Sequence, residues 1–405
     1  MKWFIVACLL LLPNATIAAD LTVKGGKKDS NFVVMKLPKE SRGKLWNDGQ
    51  TEYLQCGDDW AFLQTDAEAK YAVVNLLKAE ETTILSNMPK KKLFVFAEDM
   101  DPFQFSENKG GYLDVLWGNR PVLRFVDKPH DAKDHYLTFK PFHQMFDPKD
   151  GKTLLSSGAH PNTKEFLFPH HRGLFFGFNK ISYGDKQTAD IWHGTDNVFS
   201  TTDKILEKVA GIVFARYTAA ISWHGKDGKT FANEKRIVTV YHVPGGTLLE
   251  WATELSTTLD SVKLDGDPQH AGFHFRATQE VSKTTAKQTY YLRPDGKGKE
   301  GETRNWDAKG KDPKTVDLPW NAMSFVTGEK RYTVLRIPHP DNPKGTRGSE
   351  RDYGRFGDYF EYELTCKTAL KLKYRIWLQD GEMTVEQCEA IAAGYTQPVT
   401  VNSKN

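Results

Sequence analysis

Short stretches of β-type sequence, separated by glycine and proline turns, recur through most of the chain and limit its fold more than any other feature. Two of them, 113–117 and 122–126, flank a Gly118-Asn119 turn and therefore predict a β-hairpin. Further β-type runs are 211–223, 236–242, 247–256, 272–277, 289–292, 332–337, 359–365 and 370–379. Many strands at short spacing, without an internal repeat, predict a mainly β protein built on a large antiparallel β-sandwich.

The sequence near the end of the chain predicts a short helix. Thr384 and Gln387 have the spacing of a capping box, in which each side chain bonds to the backbone of the other residue. Cys388 and Ile391 then lie on one apolar face. Gly394 is expected to end the helix, because glycine is common just beyond a helix C-terminus.

The first residues have the features of a signal peptide. Lys2 precedes an apolar run at 3–12, and 16–19 is a small-residue cleavage site. The apolar run is much shorter than the roughly 20 residues that a membrane-spanning helix needs. We therefore expect residues 1–19 to be removed, giving a secreted or periplasmic protein that is soluble and has no membrane partner.

The rest of the chain is too long for one ordinary domain, so two are expected. The stretch 86–89, followed by three lysines, predicts a boundary between a small β-rich domain at 20–92 and a large β-sandwich domain at 93–405. All 12 histidines lie in the larger unit. Because histidine is the side chain best suited to proton transfer near neutral pH, we expect the function to lie there.

Charge and cysteine content narrow the function further. Cleavage at residue 19 removes one of 55 basic residues and leaves 54 against 52 acidic ones, a formal net charge of +2. So even a balance disfavours a nucleic-acid partner. An oxidising compartment permits a Cys366–Cys388 disulfide, but the apolar helical face of Cys388 favours a buried free thiol.

The clearest candidate site is the segment 269–277. On a strand, His270, His274 and Arg276 share one face, with Gly272 leaving room for a ligand, while the alternate apolar residues face the core. This arrangement predicts a cleft that presents imidazoles and a guanidinium. The alternative is a solvated outer face of the sheet.

A second candidate site combines 168–179 with 190–194. These segments supply hydrogen-bond donors, acceptors and flat apolar surfaces, which together suit a sugar ring. The candidate residues are His170, His171, Arg172, Asn179, Asp190, Trp192 and His193. The alternative is that the aromatic residues form core and the histidines cap a turn.

Two glutamates could partner these histidines. Glu250 and Glu254 share the polar face of the predicted strand 247–256, and a carboxylate beside an imidazole can orient it or act as a base. Exposed glutamates on strands are also common without such a role. The long loop 338–357 carries Arg355 and is expected to be functional, because loops of this length in compact domains usually are functional or disordered.

A metal site is the other explanation for so many histidines. His270 and His274 are four residues apart, which on a strand separates them by about 13 Å, too far for one ion to bridge. Each could join another imidazole, such as His170 or His193. Since no compact ligand spacing and no nucleotide or cofactor motif is present, the sequence predicts no cofactor and leaves a metal as the alternative.

Several segments are similar, in order, to an exported bacterial family commonly called methane oxygenase PmoA-like, whose domain has no known function: 169–177, 190–193, 270–277, 341–343 and 353–357. The resemblance covers about residues 95–400 and leaves the N-terminal unit outside. It implies a large supersandwich of the galactose mutarotase-like kind and a likeness to proteins that take part in polysaccharide breakdown.

The leading hypothesis is an exported carbohydrate-active enzyme of hydrolase, lyase or epimerase type. The catalytic candidates are His170, His193, His270, His274, Glu250 and Glu254. The substrate-binding candidates are His171, Arg172, Asn179, Asp190, Trp192, Arg276 and Arg355. One imidazole would act as acid or base with a glutamate partner, the arginines would hold hydroxyl or carboxylate groups, and the indole would stack on the sugar. The alternatives are a non-catalytic carbohydrate-binding protein and a metal-dependent oxygenase or hydrolase.

Overall fold

A computed structural model describes residues 21–37, 39, 44–45, 52–56, 59–86, 101–160, 164–267, 269–397 and 399–403. The predicted signal peptide and the predicted boundary at 87–92 lie outside these residues. Of these described residues, 52% are in strands and 9% in helices. The predicted fold class, mainly β with large antiparallel sheets and a short C-terminal helix, is confirmed.

The strands are numbered in chain order. The first fourteen are β1 (Leu21–Lys24), β2 (Ser30–Leu37), β3 (Lys44–Leu45), β4 (Glu52–Cys56), β5 (Asp59–Thr65), β6 (Lys70–Leu77), β7 (Thr82–Ser86), β8 (Phe103–Asn108), β9 (Tyr112–Trp117), β10 (Arg120–Val126), β11 (Phe142–Met145), β12 (Gly173–Phe178), β13 (Lys180–Tyr183) and β14 (Gln187–Ala189). The others are β15 (Phe199–Ala210), β16 (Phe214–His224), β17 (Thr230–Tyr241), β18 (Gly246–Ser256), β19 (Val262–Asp265), β20 (Ala271–Arg276), β21 (Tyr290–Arg293), β22 (Gly296–Lys297), β23 (Asn321–Thr327), β24 (Lys330–Pro338), β25 (Arg347–Arg351), β26 (Arg355–Tyr359), β27 (Tyr362–Leu364), β28 (Leu370–Asp380) and β29 (Thr400–Ser403). The α-helices are α1 (His135–Thr138) and α2 (Val385–Thr396), and short 3-10 or π turns cover Thr195–Asn197, Val281–Thr285, Ala286–Gln288 and Pro313–Thr315.

These strands form four antiparallel sheets. The N-terminal sheet has the order β2-β6-β5-β4-β7-β1-β29, with β3 beside β4. The eight-stranded sheet has the order β25-β26-β20-β12-β11-β10-β9-β8, and the nine-stranded sheet β15-β16-β17-β18-β28-β24-β23-β21-β22. A small sheet, β14-β13-β19-β27, completes the set. The predicted hairpin is confirmed as β9 and β10.

The main core lies between the eight-stranded and the nine-stranded sheet. Phe176 of β12 and Phe273 of β20 contact Trp251 of β18, with ring centroids 5.5 and 4.4 Å apart. Each of these side chains is at most 2% exposed. Burial of large aromatic side chains contributes about 1.5–3 kcal/mol each, so this interface holds the two sheets face to face.

The N-terminal sheet packs on the outer face of the nine-stranded sheet. Phe32 of β2 lies 4.7 Å from Trp377 of β28, centroid to centroid. The Gln64 side chain accepts hydrogen bonds from the backbone of Val213 and Phe214 at 2.9 Å. The last strand, β29, pairs with β1, so both ends of the described chain lie in this sheet.

The C-terminal helix begins as predicted and ends later than predicted. The capping box of Thr384 and Gln387 is present. Gly394 was expected to end the helix but lies inside it. The glycine is needed there for close packing of the helix on β2, since a Cβ at this position would collide with the carbonyl oxygen of Asn31. Cys388 is a buried free thiol, as predicted, and Cys366 is exposed and also free, so the two form no disulfide.

The predicted alternation along 271–277 is confirmed and places the candidate site. Ala271, Phe273 and Phe275 of β20 belong to the main core, so His274 and Arg276 point to the opposite, outer face of the eight-stranded sheet. Both side chains are 0% exposed, so a second layer, made of loops, covers that face. None of the helices in the described part of the chain has the length and apolar content needed to cross a membrane.

Candidate functional site

Three of the predicted histidines come together on the outer side of the eight-stranded sheet. His170 precedes β12, His193 follows β14 and His270 directly precedes β20. One nitrogen from each ring lies within 4.8 Å of the others. The ring centroids are 4.4 Å apart for His170–His193, 4.9 Å for His193–His270 and 6.3 Å for His170–His270. These residues are called the three-histidine cluster below.

The backbone turns that bring His170 into the cluster could not be deduced from the strands. Because β12 and β20 are antiparallel over six residues, His170 and His270 flank opposite ends of the pair, and straight strands would leave them roughly 30 Å apart. Instead, the chain before β12 folds back over the sheet. Gly173 makes this turn with φ +52, where a Cβ would collide with the carbonyl oxygen of His143.

His193 reaches the same place through a turn held at the end of β12. The backbone N–H groups of Ile191 and Trp192 both donate to the carbonyl oxygen of Phe178, at 3.0 and 3.3 Å. The next residue, Asn179, donates its N–H to the carbonyl oxygen of His270 at 3.0 Å. One strand end therefore positions His193 and His270 side by side.

Two aspartates hold these two rings. Asp190 accepts hydrogen bonds from the backbone N–H and the Nδ1 of His193, both at 2.8 Å. Asp267 accepts one from Nδ1 of His270 at 2.6 Å and another from the Asn179 amide at 3.0 Å. A proton on Nδ1 leaves Nε2 of each ring as the acceptor in the neutral form.

The Asp267 carboxyl is kept ionised by these contacts. Burial raises its pKa, but the hydrogen bond and the charge of His270, with the bonds from Gln269 and Asn179, outweigh burial and lower the pKa overall. Asp267 thus stays an acceptor over the whole neutral range, and its bond to His270 fixes the ring's orientation.

His170 is held in its neutral form. Burial, followed by repulsion from His193 and Lys140, lowers the pKa of His170 to about 2. Its Nε2 is buried and has no hydrogen-bond partner among the described residues. Burying a nitrogen without a hydrogen-bond partner costs about 1–3 kcal/mol of folding free energy. The unpaired Nε2 therefore indicates a position where a ligand binds.

A second layer of predicted site residues lies beneath the cluster and does not reach solvent. His171 is 1% exposed and Trp192 and His274 are 0% exposed. Trp192 contacts the rings of His171 and His274 at 5.5 and 4.9 Å. The expectation that Trp192 stacks on a sugar is therefore not met by its position, since the indole packs inside the protein. Burial lowers the pKa of His171 and His274 well below the usual value.

The three predicted substrate-binding arginines are also buried, each 0% exposed: Arg172, Arg276 and Arg355. Arg172 donates to the carbonyl oxygen of Tyr136, and Arg276 to that of Tyr353. Arg355 donates to Ser349 at 3.2 Å and contacts Nδ1 of His274 at 3.0 Å. In this arrangement they brace the loops over the sheet, although Nη1 of Arg172 and Nε of Arg276 are buried without a hydrogen-bond partner among the described residues.

The predicted glutamate partners lie elsewhere. Glu250 binds Arg375 at 3.2 Å and accepts from Tyr241 at 3.1 Å. Glu254 pairs with Lys371 at 3.5 Å. The imidazoles have Asp190 and Asp267 as partners instead, because those residues lie in the same turns as the rings they hold. The signal for this was present in the sequence as a repeated Asp-x-x-His spacing, 190–193 and 267–270.

The open side of the cluster has an aromatic rim. Phe168 is 40% exposed and adopts φ +49, an unusual conformation for a bulky residue. Its ring lies 6.0 Å from that of His170 and 5.1 Å from that of Tyr353. Strained residues concentrate at binding sites, so this exposed ring beside the imidazoles indicates a contact surface for a ligand.

A polar cavity of about 390 Å³ borders Asp190, one of the two aspartates that hold the cluster. Asp190 and Asn179 line it, and Asn179 also donates to Asp267. Other polar residues of its wall are Lys180, Ser182, Thr188, Lys226, Lys263 and Asp265. Hydroxyl, carboxylate and ammonium groups thus surround a space large enough for a monosaccharide.

Comparisons with solved structures gave distant matches, three of which are the following. A glycosyl hydrolase family 38 protein from Enterococcus faecalis has a TM-score of 0.41 at 12% identity, over 96% of this chain and 48% of that one. The GH36 α-galactosidase AgaA from Geobacillus stearothermophilus has a TM-score of 0.32 at 9% identity, over 83% and 41%. A galactose mutarotase-like protein from Clostridium acetobutylicum has a TM-score of 0.26 at 10% identity, over 67% and 94%. The chain thus spans about half the length of the two glycosidases.

The sequence itself matches one family. No curated protein has a significant match. The profile of a family of unknown function, DUF6807, matches residues 112–393, which include the whole three-histidine cluster and both aspartates. This range covers well over half of the chain and lies within the 95–400 region that resembles the PmoA-like family, but the match does not test that name or the predicted export. The chain therefore belongs to DUF6807, a family of unknown function.

Proposed function

We propose that this protein is an enzyme that acts on a carbohydrate and that the three-histidine cluster is its reactive centre. The observation that carries the proposal is the convergence of two Asp–His pairs, Asp190–His193 and Asp267–His270, on a third imidazole within 4.8 Å. An aspartate behind Nδ1 orients an imidazole and stabilises its protonated form, which is the arrangement that general-base histidines use.

Such a site supports proton transfer in both directions. Nε2 of one Asp-backed ring can accept the proton of a substrate hydroxyl or of water, and the other ring, once protonated, can donate to the departing oxygen. Glycoside cleavage, lyase action and epimerisation all need two proton-transfer groups of this kind. The site therefore supports proton transfer to and from a carbohydrate, whichever of these three reactions takes place.

Two features beside the cluster support a carbohydrate as the substrate. The exposed ring of Phe168 offers a flat apolar face, and such faces suit the apolar side of a sugar ring. The neighbouring cavity offers ammonium, hydroxyl and carboxylate groups for sugar hydroxyls. We also propose that the protein works outside the cytoplasm, which the signal-peptide features of residues 1–19 support.

The test is turnover of a panel of polysaccharides and oligosaccharides, followed by mass analysis of the released or rearranged sugars. His193→Gln and His270→Gln should each lower kcat by about 100-fold or more with little change in KM, because they remove proton transfer rather than binding. His339→Gln is the matched control, since His339 also faces an aspartate, Asp341 at 3.3 Å, but lies outside the cluster.

The outcomes separate the enzyme from a binding protein. Full activity in both cluster variants, with all variants folded by circular dichroism, would refute the proposed centre. Sugar affinity without any product after prolonged incubation would instead mean that the protein is a carbohydrate-binding module that uses the same surface.

A further inference from the structure

We infer that His170, His193 and His270 together bind one divalent transition-metal ion of the zinc type. The inference rests on the proposed function and revises its proton-transfer step: with Nε2 of His193 and His270 on the ion, water or a substrate oxygen on the ion would lose the proton in place of transfer to an imidazole.

The spacing of the rings suits one ion. Nitrogens bound to a tetrahedral zinc ion at about 2.1 Å lie about 3.4 Å apart, and the three candidate ligand atoms lie within 4.8 Å of one another. An ion at the centre of a triangle with 4.8 Å sides is about 2.8 Å from each corner, so each ring needs to move inward by only about 0.7 Å. Small rotations of side chains on turns achieve this.

The aspartates supply what metal-binding imidazoles usually have behind them. A ligand histidine nearly always donates its other N–H to a carboxylate or carbonyl oxygen, which fixes its tautomer and raises its basicity. Asp190 and Asp267 accept from Nδ1 of His193 and His270 at 2.8 and 2.6 Å. With the Nδ1 proton on the carboxylate side, the neutral form of each ring carries its acceptor, Nε2, on the side away from the carboxylates. Asp190 and Asp267 act as positioning residues.

The third ring, His170, has a buried nitrogen that a bound metal ion would satisfy. Nε2 of His170 is buried without a hydrogen-bond partner in the described part of the chain, and a metal bond would satisfy it. The charge of the ion would be balanced by the two aspartates. Among the lysines and arginines, Lys140 has the largest effect on His170. It donates to the carbonyl oxygen of Trp192 at 2.7 Å, and burial lowers its pKa well below the usual value, which weakens its repulsion of an ion.

The ligand set favours zinc over iron and a catalytic role over a structural one. Non-haem iron enzymes use two histidines and a carboxylate on the metal, whereas here both carboxylates are engaged on Nδ1 atoms. Structural zinc sites close all four positions with protein ligands, while three imidazoles leave one position for water or a substrate oxygen. At that position the ion would act as a Lewis acid and lower the pKa of bound water.

The experiment uses the mature protein after treatment with a chelator and its removal. Zinc chloride is titrated in by calorimetry, and metal retained after gel filtration is counted by mass spectrometry. We expect one equivalent of zinc. His193→Gln and His270→Gln should bind at least 100-fold more weakly, while His339→Gln should bind as the wild type does. Asp267→Asn should keep the stoichiometry and weaken binding by about 10–100-fold.

Cobalt gives a second readout, because histidines that only pack against one another and bind no metal would produce no cobalt absorption band. A visible absorption band of tetrahedral intensity should appear on adding one equivalent of Co²⁺ and be absent in His270→Gln. Retention of less than a tenth of an equivalent of zinc, or equal affinity in wild type and both histidine variants, would overturn the inference. Zinc binding without sugar turnover would count against the proposed function alone, and sugar turnover unchanged by the chelator in metal-free protein would count against the metal alone.

Discussion

Three histidines buried in the folded protein should make its stability fall steeply in mild acid. His143, His171 and His274 are at most 1% exposed. Burial is the main cause that lowers the pKa of each of them well below the usual value. In the unfolded chain they regain a pKa near 6.5. Between these values the unfolded state binds protons that the folded state does not.

The sign and size of the effect follow from proton linkage. Because the folded pKa is the lower one, the stabilisation is fully present above pH 6.5 and is lost as the pH falls below it. Each histidine then removes about 1.4 kcal/mol per pH unit, so three remove about 4 kcal/mol per unit. From pH 7.5 to pH 5 the loss is about 6 kcal/mol, which is comparable to the whole free energy of unfolding of an ordinary domain, about 5–15 kcal/mol.

The measurement is urea unfolding, followed by tryptophan fluorescence at several pH values between 7.5 and 5 with a chelator present. The chelator matters because a metal on imidazoles would add its own proton dependence. The lower limit of pH 5 keeps most carboxylates ionised. In His143→Gln the slope with pH should become shallower by the share of one histidine, about 1.4 kcal/mol per pH unit below pH 6.5, even though the variant is less stable throughout. A free energy of unfolding that changes by less than about 1 kcal/mol over this range would refute the argument.

Three further predictions concern stability and reactivity. Gly394→Ala should lower the free energy of unfolding by about 1–3 kcal/mol, because its methyl group meets the backbone of β2, as urea titration would measure. Glu350→Gln should cost about 3–5 kcal/mol in the same assay, since it leaves the buried Arg293 without its ion-pair partner. Cys366 should be alkylated in the native protein while Cys388 reacts only after unfolding, because Cys388 is buried and its thiol pKa is raised to about 12; peptide mass mapping would check this.

Each of these has a clear contrary result. An alanine at 394 that leaves stability unchanged would mean that the helix shifts away from β2 at no cost. A glutamine at 350 that is neutral would mean that water reaches the Arg293 guanidinium. Native alkylation of Cys388 would mean that α2 opens readily from the N-terminal sheet, and the denatured protein gives the control for complete labelling.

Local patterns in the sequence predicted the secondary structure well. The Gly118-Asn119 turn and its flanking apolar runs became the β9–β10 hairpin, and Thr384 with Gln387 became a capping box. The two-residue alternation in 271–277 assigned the core face of β20 correctly. These features depend on contacts between residues close in sequence, or on which side of a strand is apolar, and both are visible without the fold.

The second layer over the sheet was not visible in the same way. Trp192, Arg172 and Arg276 were expected at a ligand and are fully buried, because loops that follow distant strands fold back across the outer face. Periodicity identifies the face on which a side chain lies but not what covers that face. A residue on the outer side of a sheet can therefore be solvent-exposed, in a cleft or buried, and only the path of the loops decides.

The carboxylate partners of the imidazoles follow a local sequence pattern, an aspartate three residues before each histidine. A glutamate on a neighbouring strand, such as Glu250, was expected to orient the imidazoles, yet that strand belongs to the other large sheet. An aspartate three residues before a histidine can bond to it within one turn, whatever the rest of the fold does, and both cluster pairs have this spacing. Such a pair prepares one imidazole with its Nε2 free. Two such imidazoles become a site only when the strand end between them holds both turns, here through Phe178 for the His193 turn and Asn179 for the His270 turn, and that step depends on the tertiary fold.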